Sequence, residues 1–452
     1  MTPAQRFSIF HDNKRARAGV RQKAAMTTEN SLHNRRLFTL IAIAVMAIPL
    51  LLYGVLIERI PAVDPGLLLD SSNISRTLLV DIRSPEAFAA LHLRGAVSWP
   101  MDELSTASKQ GELPKAFRGK QLIVYCDSGL LSARAVSMLR RRAAAAYSLR
   151  GGLAAVNQAG KAPLSRQDME RLYEGSAPLP YQATSLFDQY ALVYTDLYVR
   201  PTYILLSFLL ILILWRRREQ DLTALRWSMI AFLFGETART FNSFFRTDNP
   251  LLPGNLHCYG MVLAFTFFVY ALLEGLDTRV VSFSDSAKPC AAVKICPACY
   301  KNGNAPCGLK RLFLLLIPLS IVIAFMPLCA PLKAISYNTD ILGAICNLSH
   351  DLAYLVYEIR YCPIAAMTLF TVAFLVLAFK KESPVALSKV WFSFGAGALA
   401  FGMMRWVLLG VYQDRMTWFT AWEEITELIF ILATGITLWL FRARLLAHDQ
   451  AA

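Results

Sequence analysis

Long apolar runs constrain this chain more than any other feature of its sequence. Hydrophobic residues make up 55% of the 452 residues and charged residues only 17%, and the mean hydropathy is +0.41. Soluble domains carry about a quarter charged residues. The excess lies in runs of about 17 to 24 residues, the length that crosses a hydrocarbon core. The sequence therefore predicts eight membrane spans, near 37–57, 199–215, 227–244, 259–275, 312–329, 363–379, 390–410 and 418–441.

The first run has two interpretations. Arg35 and Arg36 precede it, as in a signal peptide. Its roughly 20 apolar residues are longer than the usual signal core, and Glu58–Pro61 offers no small-residue cleavage site. We therefore expect a retained transmembrane anchor at 37–57.

The positive charge predicts the orientation of the spans. A net charge of +14 would suggest nucleic acid in a soluble protein, but here Lys and Arg cluster beside the apolar runs, as at Arg216–Arg218 and Lys380–Lys381. We expect no nucleic-acid partner. The basic tail 1–36 and the tail 443–452 are predicted to be cytoplasmic. The segment 58–198 then faces the outer, periplasmic side of the cytoplasmic membrane.

Two segments of the membrane region resemble each other. Asp188–Tyr194 is similar to Asp351–Tyr357, and each is followed by an acidic residue, a proline that opens a span, a basic cluster and an intramembrane arginine. Such repeats occur in transporters, whose sites lie between the halves. An old duplication that only builds a helical bundle would look the same. The predicted copies are 186–277 and 348–442, within a seven-helix bundle at 199–442.

The composition changes between the first two spans. Thr77–Ile82 and Gln121–Tyr125 are short apolar runs typical of buried parallel strands. Helix-like stretches lie at Ser84–Leu91 and Ser132–Arg142. Strands that alternate with helices predict an α/β domain with a parallel sheet. We expect this domain at 62–160 and a linker at 161–198.

A cysteine occupies the turn after the second strand. Cys126 begins a short loop, and a helix is predicted to begin near Ser132. Backbone N–H groups and the positive end of the helix dipole favour a thiolate at this position, and the thiolate is the nucleophile. The alternative is a buried core thiol, which is the commoner role of a free cysteine.

Four segments in order resemble the rhodanese domain: Leu78–Phe88, Leu91–Pro100, the loop that begins at Cys126, and Leu149–Ala155. The resemblance covers 65–157. It implies a sulfurtransferase or sulfur carrier that forms a persulfide on Cys126 without a cofactor. The donor would be a persulfide, polysulfide or thiosulfate, and the acceptor a thiol. The implied substrate-binding loop comprises Asp127, Ser128, Gly129, Leu130, Leu131 and Ser132.

Three further residues fit the family pattern, and two loop positions depart from it. Asp81, Arg83 and His92 are expected to form a polar network that supports the loop; a catalytic base at His92 is the alternative. The family often has arginine where this chain has Asp127 and Leu131. Because positive charge steers and holds anions, thiosulfate should be captured poorly, and a persulfide or polysulfide donor fits better.

The other cysteines fall into two sets. Cys290, Cys296, Cys299 and Cys307 lie in a predicted inner loop, where four thiolates suit tetrahedral zinc; a redox or Fe–S role and unliganded thiols are alternatives. The outer set either forms two disulfides or serves as a thiol relay that accepts sulfur from Cys126. It comprises Cys258, Cys329, Cys346 and Cys362.

Charged residues also occur inside the predicted spans. Charges within a bilayer are costly and usually face a partner or a cavity. A polar site is therefore expected in the outer half of the bundle, as an anion pocket, as a metal site built from His and Glu, or as ion pairs that only lock helices. Its candidate residues are Glu236, Arg239, Arg405, Glu423 and Glu427.

Three functions remain open from the sequence. The first is a sulfur-transferring enzyme outside the membrane. The second is a transporter of a sulfur compound or another anion, with the rhodanese-like domain as a loading module. The third is a membrane sensor whose domain only binds.

Overall fold

The computed structural model describes two separate regions of the chain. It describes Leu40 and Ile43, and the ranges 60–68, 77–110, 114, 117, 119–127, 129–141, 144–157, 164–177, 179–245, 251–281, 308–332, 335–350, 352–379 and 384–440. The rest of the predicted anchor, both predicted tails, Ser128 and the inner cysteines Cys290, Cys296, Cys299 and Cys307 lie outside the described residues.

The first region is built on a sheet of five parallel strands in the order β1-β6-β5-β2-β4. The predicted parallel α/β domain is thus confirmed. The central strands are apolar along their length because helices cover both faces of the sheet. The strands are β1 Ala62–Val63, β2 Thr77–Asp81, β4 Val97–Ser98, β5 Gln121–Tyr125 and β6 Ala146–Leu149.

Alternate residues of the central strands enter two cores. In β5, Leu122 and Val124 pack on one side of the sheet, and Ile123 and Tyr125 pack on the other. This two-sided burial makes β5 the centre of the domain. The helices of this region are α1 Pro85–Ala90, α2 Met101–Gln110, α3 Leu130–Arg140 and α4 Gly152–Val156.

The segment predicted as a linker packs partly on the domain. It contains α5 (Arg166–Leu172) and β7 (Tyr173–Glu174), and β7 pairs antiparallel with β3 (His92–Leu93). The Tyr173 hydroxyl donates to Asn157 Oδ1 at 2.8 Å. The chain therefore stays on the domain as far as β7 before it turns toward the helical region.

The second region consists of long helices. They are α6 Leu186–Tyr194, α7 Arg200–Leu214, α8 Gln220–Phe245, α9 Leu251–Gly275, α10 Gly308–Ala324, α11 Leu352–Val356, α12 Cys362–Phe379, α13 Pro384–Tyr412 and α14 Met416–Leu440. Five helical segments are long and apolar enough to cross a membrane: Leu186–Leu214, Asn255–Arg279, Arg311–Cys329, Tyr354–Phe379 and Val385–Tyr412.

Two similar breaks interrupt the helices before Pro201 and Pro363. A π-helical turn joins α6 to α7 at Thr195–Val199, and another joins α11 to α12 at Tyr357–Tyr361. Each turn lies at the same position in the two sequence segments that resemble each other. Turns of this kind often occur at functional sites.

A β-hairpin connects the two regions. It consists of β8 (Ile335–Ile341) and β9 (Ala344–His350), between α10 and α11. Asn338 is fully buried, and its side chain donates to the Leu164 carbonyl at 3.1 Å. Its backbone bonds to the carbonyl of Pro180 at 2.8 Å and accepts from the amide of Gln182 at 2.9 Å. The hairpin thus docks on the first region through Asn338.

We predict that Asn338→Ala loosens this contact. The change leaves the Leu164 carbonyl and the Asn347 amide without their bonds to the Asn338 side chain, at a cost of about 1–3 kcal/mol. Hydrogen exchange in the detergent-solubilised protein should accelerate over 164–182 and 335–350. Ile345→Ala, at an exposed position on the same hairpin, is the control and should change exchange little. Equal acceleration in both variants would contradict the role of Asn338.

Candidate active site

Cys126 lies immediately after β5, at the carboxyl edge of the parallel sheet. Its side chain is buried, with the residue 2% exposed. The Cys126 carbonyl accepts from the Leu153 amide at 2.9 Å, and the Asp127 carbonyl accepts from the Ala154 amide at 3.0 Å. These bonds hold the loop against the beginning of α4. Helix α3 begins at Leu130, so its positive end lies next to the loop.

Gly129 gives the loop its sharp turn. Its φ is +81°, a left-handed conformation that side chains rarely adopt. A Cβ there would lie 2.9 Å from the Gly151 nitrogen and 3.1 Å from the Leu149 carbonyl oxygen. The loop is therefore packed directly on the backbone that follows β6, and only glycine fits.

Two buried hydroxyls lie beneath the cysteine. The Cys126 thiol donates to Ser132 Oγ, with 3.8 Å between sulfur and oxygen, and the Ser132 hydroxyl donates to the Gly129 carbonyl at 3.1 Å. Ser148 Oγ is 2.8 Å from Ser132 Oγ. A rotatable hydroxyl next to sulfur can donate to a thiolate or to a bound sulfur atom. Ser132 is thus the described side chain of the loop best placed to stabilise charge on Cys126.

Arg83 connects the end of β2 to the loop. Its guanidinium binds the fully buried Asp81 through Nε at 3.0 Å and Nη2 at 2.7 Å. Its Nη1 binds Asp127 at 3.0 Å. Burial opposes the charge of Arg83, but Asp81 and Asp127 outweigh burial and raise the Arg83 pKa above its ordinary value. Asp127 is therefore paired with a cation, which offsets the negative charge it brings next to Cys126.

The same network includes Tyr125. Its hydroxyl accepts from the Leu93 amide at 3.1 Å. Burial, with the nearby charge of Asp81, raises the pKa of Tyr125 above its ordinary value, so the phenol stays neutral. The network joins three strands at the edge of the sheet from which the cysteine loop leaves.

His92 is held by local contacts. Its Nδ1 lies 2.7 Å from the Phe88 carbonyl, and its ring stacks on Phe88 with centroids 3.9 Å apart. These contacts fit the structural role expected for His92. They do not bring it to Cys126.

A small cavity adjoins the loop where three parts of the chain meet. Its volume is about 110 Å³, and its walls include Asp127, Asn157, Tyr173 and Ser336. Ser336 belongs to the hairpin β8–β9. The helical region therefore contributes to the wall of the cavity beside the cysteine loop. Leu131 lies on the outer surface of this loop and is 51% exposed.

The polar residues predicted inside the helical region lie together. Glu423 is central: Arg239 Nη1 and Arg405 Nη2 each approach its Oε1 to 2.5 Å. Glu236 lies beside His257, with 2.9 Å between Oε1 and Nδ1. Glu427 joins Glu236 and His257 in a group whose ligand atoms all lie within 4.8 Å of one another.

The structure adds residues that the sequence did not place in this cluster. Tyr203 Oη lies 2.6 Å from a carboxylate oxygen of Glu236 and 2.6 Å from one of Glu424, and Arg200 pairs with Glu424. Glu358 is bound by Arg405 Nε at 3.2 Å and by His350 at 2.8 Å. The acidic residue of each repeated segment was the available signal for Glu358. Nothing in the local sequence marks Tyr203.

The predicted outer disulfides are wrong. Cys258, Cys329, Cys346 and Cys362 are all free thiols. Cys258 and Cys362 are buried between helices, whereas Cys329 is exposed and Cys346 lies on the hairpin. The thiol relay stays a prediction.

Comparison with known proteins identifies the first region. The model of the rhodanese-like domain matches residues 64–159. An uncharacterized protein of Synechocystis sp. is 34% identical over 110 residues, which are 23% of this chain and 59% of that protein. The chain thus spans less than two thirds of the length of this relative.

Solved structures resemble the same part of the chain. A rhodanese-related protein from Thermoplasma volcanium is 23% identical, over 22% of this chain and 91% of that one, with a TM-score of 0.19. The rhodanese-like domain of an Anabaena sp. protein is 22% identical, over 25% and 79%, with a TM-score of 0.20. A Bacillus halodurans protein is 18% identical, over 26% and 80%, with a TM-score of 0.21. The assignment rests on the family model, not on these scores.

We predict that Arg83→Gln destabilises the domain by about 3–5 kcal/mol, because it leaves Asp81 buried without its cation. Hydrogen exchange of the β5 amides should report this loss as faster exchange. Asp127→Asn removes only the exposed end of the network, where the Asp127 side chain is 66% exposed, and should cost at most about 1 kcal/mol. A larger effect of Asp127→Asn would contradict the assignment of Asp81 as the buried anchor.

Proposed function

Because residues 64–159 are a rhodanese-like domain followed by several long apolar helices, we propose that this chain is a membrane-bound sulfurtransferase that carries sulfane sulfur as a persulfide on Cys126. The observation that carries the proposal is the position of Cys126 in the fold. It lies at the carboxyl edge of the sheet, beside the N-terminus of α3 and 3.8 Å from the Ser132 hydroxyl.

The proposed transfer is an exchange at sulfur without net oxidation. The Cys126 thiolate attacks the terminal sulfane sulfur of a persulfide, polysulfide or thiosulfate. A sulfur–sulfur bond forms to Cys126 as the donor's bond breaks, and a thiolate, a shorter polysulfide or sulfite leaves. An acceptor thiolate then attacks the outer sulfur of Cys126 and releases the Cys126 thiolate.

The charge around the loop favours donors with little negative charge. Arg83 binds Asp127 of the loop, and its guanidinium is already engaged by Asp81 and Asp127. Leu131 supplies an apolar rim. A thiosulfate dianion would meet no uncommitted cation among these contacts, so a persulfide or polysulfide is the proposed donor.

The docked hairpin supports a common side for the domain and the loop after α10. Between the domain and the hairpin the chain runs through α6–α7, α8, α9 and α10, and then returns to the domain at Asn338. Four crossings return a chain to the side where it began. Helix α8 is not among the five apolar segments named above, and it is counted as a crossing because its 26 residues, about 39 Å long, reach across a bilayer core. Together with the basic clusters, this favours a domain on the outer face.

The experiment that tests the proposal uses the full-length protein, purified in detergent and reduced. It is treated with a polysulfide, alkylated and weighed intact. We expect one added sulfur atom, lost on reduction and absent from Cys126→Ser. Cys329→Ser, which removes an exposed thiol outside the domain, is the matched control and should keep the added sulfur. Equal loading of Cys126→Ser and the unaltered protein would refute the proposal.

We predict that Leu131→Arg improves the use of thiosulfate. A cation at this exposed rim position should raise kcat/KM for thiosulfate roughly tenfold at low ionic strength, with a smaller gain in high salt. Leu131→Gln controls for loss of the apolar side chain and should show no such gain. If both variants behave alike, the missing rim charge does not set the choice of donor.

We predict that Cys329 is open to the outer compartment. In intact cells, a variant that retains only this cysteine should react with a membrane-impermeant maleimide, because Cys329 is exposed beside the hairpin. A variant that retains only Cys296 should react only after the membrane is permeabilised. The opposite pattern would reverse the proposed orientation.

A further inference from the structure

The helical region contains a group of ligand-type side chains that sulfur transfer does not use. Glu236 on α8, His257 on α9 and Glu427 on α14 meet in the interior, and each is buried. We propose that these three side chains form a binding site for a first-row divalent metal ion. The site lies between the two similar segments, with Glu236 and His257 in the first and Glu427 in the second.

The geometry fits a shared cation. One ligand atom from each side chain lies within 4.8 Å of the other two. Donors bound at about 2.0–2.2 Å from one metal ion lie roughly 3 to 3.5 Å apart, so a small side-chain adjustment closes the site. All three residues lie on long helices, which hold their backbones in place.

The orientation of two of these groups points to a common ligand. Glu236 Oε1 and His257 Nδ1 lie 2.9 Å apart, yet neither atom makes a hydrogen bond with good geometry among the described residues. A metal ion that binds both atoms would take the place of the proton between them.

Glu427 supplies the independent observation. It is 1% exposed, and neither of its carboxylate oxygens has a hydrogen-bond partner among the described residues. A buried carboxylate without partners is strongly unfavourable unless it is neutralised or binds a metal ion. Its position beside Glu236 and His257 makes it the third ligand.

The charged side chains around the three ligands carry a net negative charge that a divalent cation can balance. The buried carboxylates of this cluster outnumber its guanidinium groups by five to three, and with His257 and His350 neutral a divalent ion would cancel the difference. The carboxylates are Glu236, Glu358, Glu423, Glu424 and Glu427, and the guanidinium groups are those of Arg200, Arg239 and Arg405.

Neighbouring groups are arranged as supports for the ligands. Tyr203 Oη lies 2.6 Å from Glu236 Oε2, on the side of the carboxylate away from Oε1, which leaves Oε1 for the metal ion. His257 Nε2 lies 3.3 Å from Arg405 Nη2 and 3.7 Å from Glu423 Oε1, so the ring nitrogen opposite Nδ1 faces the ion pair of Arg405 and Glu423. Contacts to the second nitrogen of a metal-bound histidine fix the orientation of its ring.

The donor set indicates the class of metal. One imidazole and two carboxylates suit zinc, iron(II) or manganese(II), and contain no thiolate that would select soft ions. Three protein ligands leave coordination positions for water or another small ligand. The site therefore differs in chemistry from the four-cysteine loop predicted on the inner side.

The test uses the full-length protein in detergent, with the four inner cysteines replaced by serine and metals removed by a chelator. Cobalt(II) is the probe. We expect about one equivalent to bind, with visible bands of nitrogen and oxygen ligation and without a sulfur-to-cobalt charge-transfer band. Glu427→Gln should weaken cobalt binding by more than about 100-fold, since it removes a direct ligand. Glu358→Gln, a buried carboxylate of the same cluster outside the three ligands, should retain the cobalt spectrum.

A measurement on the unaltered ligands keeps the proposal testable if a variant misfolds. Pulsed electron paramagnetic resonance of the manganese(II) form should show coupling to one imidazole nitrogen. The proposal is overturned if the protein without inner cysteines binds no cobalt, which would leave protonation to neutralise Glu427. It is also overturned if cobalt binds equally to Glu427→Gln, if Glu358→Gln loses as much, or if manganese shows no nitrogen coupling.

Discussion

The buried amide of Asn338 links the two regions of this protein. It bonds to the Leu164 carbonyl, and its backbone bonds to the carbonyl of Pro180 and the amide of Gln182, so a loop from the helical region becomes part of the domain surface. Because buried polar groups must keep their partners, this contact favours one relative arrangement of hairpin and domain. It brings Ser336 to the cavity beside Asp127.

Within the helical region, the free-energy cost of burying unpaired charges determines how the charged side chains are arranged. Glu423 is bound by both Arg239 and Arg405, one from each of the two similar segments. A π-helical turn precedes Pro201 in one segment and Pro363 in the other. A metal ion bound by Glu236, His257 and Glu427 would tie the same two segments together. Sulfur transfer on Cys126 and metal binding in the bundle are separate proposals that can fail separately.

The sequence predicted those features of the fold that a local residue pattern encodes. Apolar runs identified β2 and β5, and the order of motifs around Cys126 identified the domain, which the family model confirms. Two-residue strands such as β3 and β7 carry no periodic signal, so the return of the chain onto the domain was not predicted. The pairing of Arg83 with Asp127 joins residues far apart in sequence, and a single chain gives no signal for such a contact. For the same reason, the sequence did not predict that Tyr203 belongs to the polar site.

The central claim is that Cys126 carries sulfane sulfur on the outer face of the membrane. The most direct measurement exposes right-side-out and inverted membrane vesicles to a charged polysulfide that does not cross the bilayer, followed by alkylation and peptide mass analysis. The account predicts an added sulfur on the Cys126 peptide in right-side-out vesicles and little in inverted ones. Loading in inverted vesicles alone, or on cysteines other than Cys126 in both, would contradict it.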